Sequence, residues 1–325
     1  MKKFLRRLTY TLFMGIVAFV LASGCHPSSY QNATNQITPA KDCRVVQHTI
    51  GETCIPKNPK RLVTISHFTL ANALVLGVKP IGTTSVTNNM QDKFPEYLKS
   101  KIKGIEVLGT QNEPNIERIL RLKPDLILGW EKVQPIYPLL SQISPTALGK
   151  WYGPASWQKH FDFVIEVLGK QEEARQAWNH YYQRIDELKT ALNNRYQDKK
   201  ISVVIPSSEW GFFIQTKNSF AGFILNDLGL QRPQLQDVNT SDGYIIFNSK
   251  EKLEMIDGDI IFVLTHKDDE RKAFEEILQS PLGRRLKAVQ QGRVYSVDGL
   301  TWIASNLLAA DAVIDDLFKY LVNTP

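Results

Sequence analysis

The runs ERILRLKPDLIL, residues 117–128, and EKLEMIDGDIIF, residues 251–262, decide the fold. Each opens on a glutamate, reaches an aspartate eight residues later (Asp125 or Asp259), and passes into an apolar stretch. Ile119 matches Leu253, Leu122 matches Ile256, and Lys123-Pro124 matches Asp257-Gly258. Each copy therefore reads as a helix, a tight turn and a buried strand. The repetition argues for two lobes built on one plan, against the competing reading of chance similarity between amphipathic units.

Outward from these runs the pattern stays α/β. Residues 61–66 form a β-branched apolar run, 69–76 a helix stopped by Gly77, and 78–83 a second strand. A second block of the same kind begins with a strand at 201–206 and a helix at 220–228 that stops at Gly229. Strand-helix-strand units of this length imply parallel sheets with right-handed crossovers. Between the blocks, Ala174, Trp178, Tyr181, Ile185, Leu188 and Leu192 recur at spacings of four and three. A helix over 170–196 would be a rod of roughly 40 Å, long enough to join two lobes, although a surface helix within one lobe has the same pattern. The expected fold is α/β: two lobes with mostly parallel sheets joined by one long α-helix. The segments are a leader (1–24), a tether and hairpin (25–57), a first lobe (58–168), the connecting helix (169–198) and a second lobe (199–325).

The chain has 325 residues, 43% hydrophobic and 22% charged, which excludes disorder and collagen-like structure. Its formal charge of +6 owes four positive charges to Lys2, Lys3, Arg6 and Arg7. Without them 35 basic residues face 33 acidic ones, so the body gives no reason to expect nucleic acid. Those four residues precede an uncharged, largely apolar stretch at 8–21 and then Leu21-Ala22-Ser23-Gly24-Cys25, a secretory leader resembling a bacterial lipoprotein box. Cys25 would then be acylated and tethered through the polar residues 26–40; the alternative is a free cysteine beside an ordinary cleavage site. Arg6-Arg7 invites comparison with twin-arginine export, but the flanking residues match poorly. Export makes Cys43 and Cys54 readable as a disulfide closing a small hairpin, worth about 2–3 kcal/mol on the chain-entropy model. A two-cysteine metal site would lack nearby partners.

Nucleophile elbows, phosphate loops, dinucleotide-binding glycine turns and zinc-protease helices are all missing from the sequence. The six histidines are scattered, so no compact metal-ligand motif is written. His67 directly follows the first strand, where open α/β sheets place their ligand crevice, and it reads as either a pocket residue or a satisfied loop histidine. Aromatic side chains occupy similar positions: Trp130 after the strand at 125–128, Trp210, Phe212 and Phe213 after the one at 201–206, Thr301 and Trp302 after the one at 293–297. Tyr137, Trp151, Trp157 and Tyr244 are less well placed. Together these residues favour a binding cleft over a catalytic one, although each singly reads as well as inter-lobe packing. Glu117 and Glu251 fall in first helical turns, behind Pro114 and a Ser249 cap, where a negative charge suits the helix dipole. One acid per lobe could also mark the ends of a surface that docks a two-fold partner.

Residues 58–63 (NPKRLV), 76–82 (LGVKPIG), 113–117 (EPNIE) through 123–127 (KPDLI), and 249–251 (SKE) through 259–262 (DIIF) resemble the periplasmic binding proteins of ABC importers for ferric siderophores and cobalamin. The cysteine hairpin and the run TWIASNLLAA, residues 301–310, look like the cyanobacterial iron-siderophore or ferric-citrate receptors. The resemblance implies a cleft for a ferric chelate between the lobes, no cofactor, no enzymatic activity and no metal held directly by the protein. It also implies docking of Glu117 and Glu251 on arginines of an ABC permease dimer. Hydroxamate receptors of this family carry an arginine two residues before the Glu-Pro motif; here Gln111 stands there, and Lys217 is a candidate for meeting an anionic chelate instead. Alternatives are a receptor for cobalamin or haem, and an extracytoplasmic enzyme on the same fold with His67 as base.

Overall fold

In the computed structural model the described residues are 43–88, 94–207, 211–247, 253–266 and 268–323. They begin with the hairpin of β1 (Cys43–His48) and β2 (Gly51–Pro56), whose two-residue turn leaves Gly51 at φ 140°. Cys43 and Cys54 are bonded across it, with Cα atoms 5.6 Å apart. The first lobe then alternates strand and helix: β3 (Leu62–Thr64), α1 (His67–Val75), β4 (Gly82–Ser85), α2 (Glu96–Lys99), β5 (Glu106–Thr110), α3 (Ile116–Leu122), β6 (Leu126–Trp130), α4 (Tyr137–Ile143) and β7 (Thr146–Gly149). Its five strands are all parallel, in the order β5-β4-β3-β6-β7. The expected strand at 78–83 starts later, at Gly82, because Lys79-Pro80 first turns the chain out of α1.

The chain continues through α5 (Trp157–Leu168) into the long helix α6 (Gln171–Leu192). At 22 residues α6 is about 33 Å long. It stops short of Tyr196 because Asn193 and Asn194 turn left-handed, at φ 46° and 60°. The second lobe comprises β8 (Ile201–Ser207), β9 (Gly211–Gln215), α7 (Phe220–Asp227), β10 (Tyr244–Phe247), β11 (Ile260–Thr265), α8 (Asp268–Gln279), α9 (Lys287–Gln290), β12 (Val294–Asp298), α10 (Gly299–Trp302) and α11 (Leu307–Leu317). Its order is β10-β9-β8-β11-β12. Counted within each lobe, both sheets read third, second, first, fourth, fifth. The second sheet departs in one respect: β9 folds back antiparallel on β8 as a hairpin, where the first lobe has a helical crossover. Phe212 and Phe213 therefore lie inside a strand rather than beyond one.

The sequence repeat falls on the fourth strand of each lobe, and its aspartates do the same work. Asp125 accepts the backbone N–H groups of Lys60 (2.7 Å) and Arg61 (2.9 Å), and Asp259 accepts that of Lys200 (2.8 Å). Each carboxylate thus fixes the backbone just before the first strand of its own lobe. Ile119, Leu253 and Ile256 are buried beneath the repeat. Alternation along the strands places Leu62, Leu126 and Leu128 of the first sheet, with Val203, Ile260 and Phe262 of the second, in one continuous core that includes α5, α6 and α11. Val63 and Ile127 face a separate core on the far side of the first sheet, as Val204, Ile261 and Val263 do in the second.

Candidate ligand cleft

The carboxyl ends of β3, β5 and β6 bring three of the sequence-derived residues together. His67 is the first residue of α1, Gln111 follows β5 directly, and Trp130 ends β6. His67 Nδ1 lies 3.1 Å from Gln111 Oε1, a bond that reaches past the intervening strand β4. Phe68 joins the cluster: its ring meets Trp130 edge-on at 4.8 Å, Trp151 at 4.6 Å and His160 at 5.0 Å. Trp130 is buried, its indole nitrogen has no partner among the described residues, and Lys132 stands 4.9 Å from its ring.

Beneath this wall is a line of hydroxyls. Ser66 caps α1 by accepting the N–H of Thr69, and its own hydroxyl donates to Thr69 Oγ1 at 2.7 Å. Thr69 Oγ1 lies 3.0 Å from His160 Nε2. Burial pushes His160 down to about 4, against a smaller raising effect of the nearby Lys150 backbone, so this imidazole is neutral. His67 is lowered as well, by burial, with the Gln111 bond opposing.

Across the cleft, Asp298 at the end of β12 caps α10 by accepting both the backbone N–H and the hydroxyl of Thr301. Thr301 is buried by this contact, and Trp302 is wholly so: its ring lies 4.8 Å from Phe262 and its Nε1 donates to Asp316 at 2.8 Å. Nearby, Tyr97 from the first lobe joins Thr265, His266, Ser296 and Asp298 around a polar cavity of about 600 Å³. Asn306 donates to the Tyr97 hydroxyl at 2.8 Å, and burial raises the pKa of that hydroxyl.

Three candidates are placed elsewhere. Tyr137 leans on the hairpin, 5.6 Å from the His48 ring and 3.5 Å from the Thr53 hydroxyl. Tyr244 pairs with Gln215 at the end of β9 remote from the β8–β9 connection, its ring against Phe213. Lys217, just beyond that end, lies 3.5 Å from Asp237. Glu117 is exposed in the first turn of α3, which is capped by Asn115 rather than opened by Pro114. Trp210, Glu251, the Ser249 cap and Cys25 lie outside the described residues. Sequence reasoning passed over Ser66 and Asp298, both cap-type residues preceding helices, and Phe68, Tyr97 and His160, for which no local signal exists. Among the described residues no three His, Cys, Asp or Glu side chains converge as a metal site.

Two like-ordered α/β lobes on a shared core, with aromatic and polar side chains gathered at the strand ends, define a two-lobed solute-binding protein. The chain belongs to the periplasmic binding protein family, which it matches over residues 63–300. It is 31% identical to the probable siderophore-binding lipoprotein YfiY of Bacillus subtilis (strain 168), over 96% of this chain and 98% of the relative. It is 28% identical to the Fe(3+)-citrate-binding protein YfmC of the same organism, over 99% and 100%. The crystal structure of Staphylococcus aureus SirA complexed with staphyloferrin B superposes with a TM-score of 0.71 at 31% identity, over 86% of this chain and 98% of that one.

Proposed function

We propose that this chain is the receptor of an ABC importer, capturing a ferric siderophore of citrate or hydroxamate type and delivering it to a permease dimer in the cytoplasmic membrane. The observation that carries this reading is end-to-end similarity to a siderophore-binding lipoprotein and a ferric-citrate-binding protein. The iron arrives as cargo inside its chelate, and the protein brings no cofactor and performs no bond chemistry. Capture needs only a preorganised cleft, which the His67–Gln111 bond and the ring cluster around Phe68 supply. Cys25 carries the lipid that holds the receptor outside the membrane, and Glu117 and Glu251, one from each lobe, meet permease arginines.

Tryptophan-quenching titrations with ferric schizokinen, ferric citrate, cyanocobalamin and haemin, run beside uptake of the iron chelates by cells, test both halves. Wild type is expected to bind a ferric chelate and neither macrocycle. Glu117→Ala with Glu251→Ala is expected to keep that affinity and to lower uptake. Binding of a macrocycle alone contradicts the capture reading, and undiminished uptake by the double variant contradicts the docking one.

A further inference from the structure

Ser66 has the backbone conformation least suited to its side chain among the described residues. Of the five non-glycine residues at positive φ, Lys123, Asn193, Asn194 and Ser305 have φ between 46° and 60°, whereas Ser66 sits at φ 138° and ψ 153°. That region is essentially reserved for glycine, and such strain persists where the surroundings over-determine it. Here they do: the residue is fully buried and its hydroxyl makes two hydrogen bonds to Thr69. The bend it enforces carries the chain from β3 into α1 at the mouth of the cleft and makes His67 the first helical residue.

The bond from His67 to Gln111 then fixes the chemistry of the ring. An amide oxygen can only accept, so Nδ1 carries the proton and donates to Oε1, leaving Nε2 with a lone pair and no hydrogen. Phe68 meets the ring edge-on at 5.3 Å and restrains it from a second side.

We propose that Ser66 and Gln111 position His67 as a hydrogen-bond acceptor, through Nε2, for an N–H or O–H that the ferric chelate turns outward. This rests on the receptor reading above and narrows the cargo: a chelate with amide or hydroxyl donors on its rim fits, and one that presents only carboxylates there does not. No acid or base besides His67 occurs in α1. The elements packed around α1 carry further titratable groups: Lys159, His160, Asp162 and Glu166 on α5, His180 and Arg184 among those on α6, and Asp311, Asp315 and Asp316 on α11, with Glu113 beyond β5 and Lys132 beyond β6. His160 meets the far side of Phe68, and the His67 ring is bonded to Gln111 rather than to any of them. Burial and the Gln111 bond govern the titration of His67 itself. Acid protonates Nε2 and removes the acceptor, so affinity falls with pH; a chelate carboxylate at the same nitrogen would instead bind the imidazolium and tighten with acid.

The test is affinity for ferric schizokinen, whose amide N–H groups remain free, measured between pH 4.5 and 7.5 on the folded protein. Wild type is expected to weaken toward the acid end, with the onset below the ordinary imidazole range because burial lowers the His67 pKa. His67→Gln, which keeps an acceptor that does not titrate, loses the pH slope. His67→Leu loses about tenfold. Gln111→Glu keeps the Nδ1 bond but favours the imidazolium, so its decline begins at higher pH. Tight binding that strengthens or stays flat toward acid, or that survives His67→Leu unchanged, overturns the inference alone. If no ferric chelate binds wild type at any pH, the receptor reading falls and this inference with it.

Discussion

Two imidazoles stand at the cleft wall, His67 partly buried within it and His160 buried behind it, and they were unequally visible in the sequence. His67 could be found because it follows a strand at the end where crevices form. His160 could not, because its partners Thr69 and Phe68 are more than ninety residues away and meet it only when α5 lies on α1. Trp130 was legible by strand position and Gln111 only through the family resemblance, while Trp302 read as cleft-facing when its indole nitrogen is held by Asp316 inside the core. His160 has a measurable consequence. Its folded pKa of about 4 lies below the ordinary 6.5, so between those values the unfolded chain binds a proton that the folded chain refuses. The stability it contributes is complete above pH 6.5 and is lost as pH falls toward 4, on the order of 3 kcal/mol over the whole window. Urea unfolding at pH 7.0 and pH 4.5 should therefore show a smaller acid loss in His160→Gln than in wild type. Equal losses would contradict the assignment.

At the scale of elements, the hairpin works as a clamp. Thr49 donates its backbone N–H and its hydroxyl to Leu148 O, and Thr53 donates to Thr146 O, which ties the hairpin to the edge strand β7. Arg44 donates to Val167 O and lies against Gly169, where α5 ends at φ 65° before α6 begins. The guanidinium therefore satisfies a carbonyl at the helix terminus that has no partner within the helix. Cys43→Ser should free the strand ends and lower Tm by roughly 5–10 °C, checked by calorimetry of oxidised and reduced wild type beside the variant. Equal melting of all three would remove the disulfide from the account. The hairpin and both central strands were legible as alternation and turn residues. The reversal at β9 was not, because its FFIQ run follows β8 so closely that its aromatic residues passed for strand-end side chains. The end of α6 was overrun because the apolar spacing continues to Tyr196, while the two asparagines that stop the helix act through backbone conformation.

For the whole molecule, duplication was the most legible feature and also the one that shapes function. Equal strand order in the two sheets means that the first and fourth strands lie side by side and parallel in both lobes, so each lobe presents their carboxyl ends together. The continuous core from Val46 to Leu321 and the pairing of Arg184 on α6 with Asp311 and Asp315 on α11 join the lobes over a broad area, so wide hinge closure would expose buried apolar surface. Diffraction at the iron absorption edge from crystals of the chelate complex tests this account most directly. The anomalous peak should fall between the ends of β3, β5 and β6 on one lobe and those of β8, β11 and β12 on the other, with each lobe superposing on its free form and the angle between lobes little changed. A peak outside that gap, or a large rotation of one lobe against the other, would contradict it.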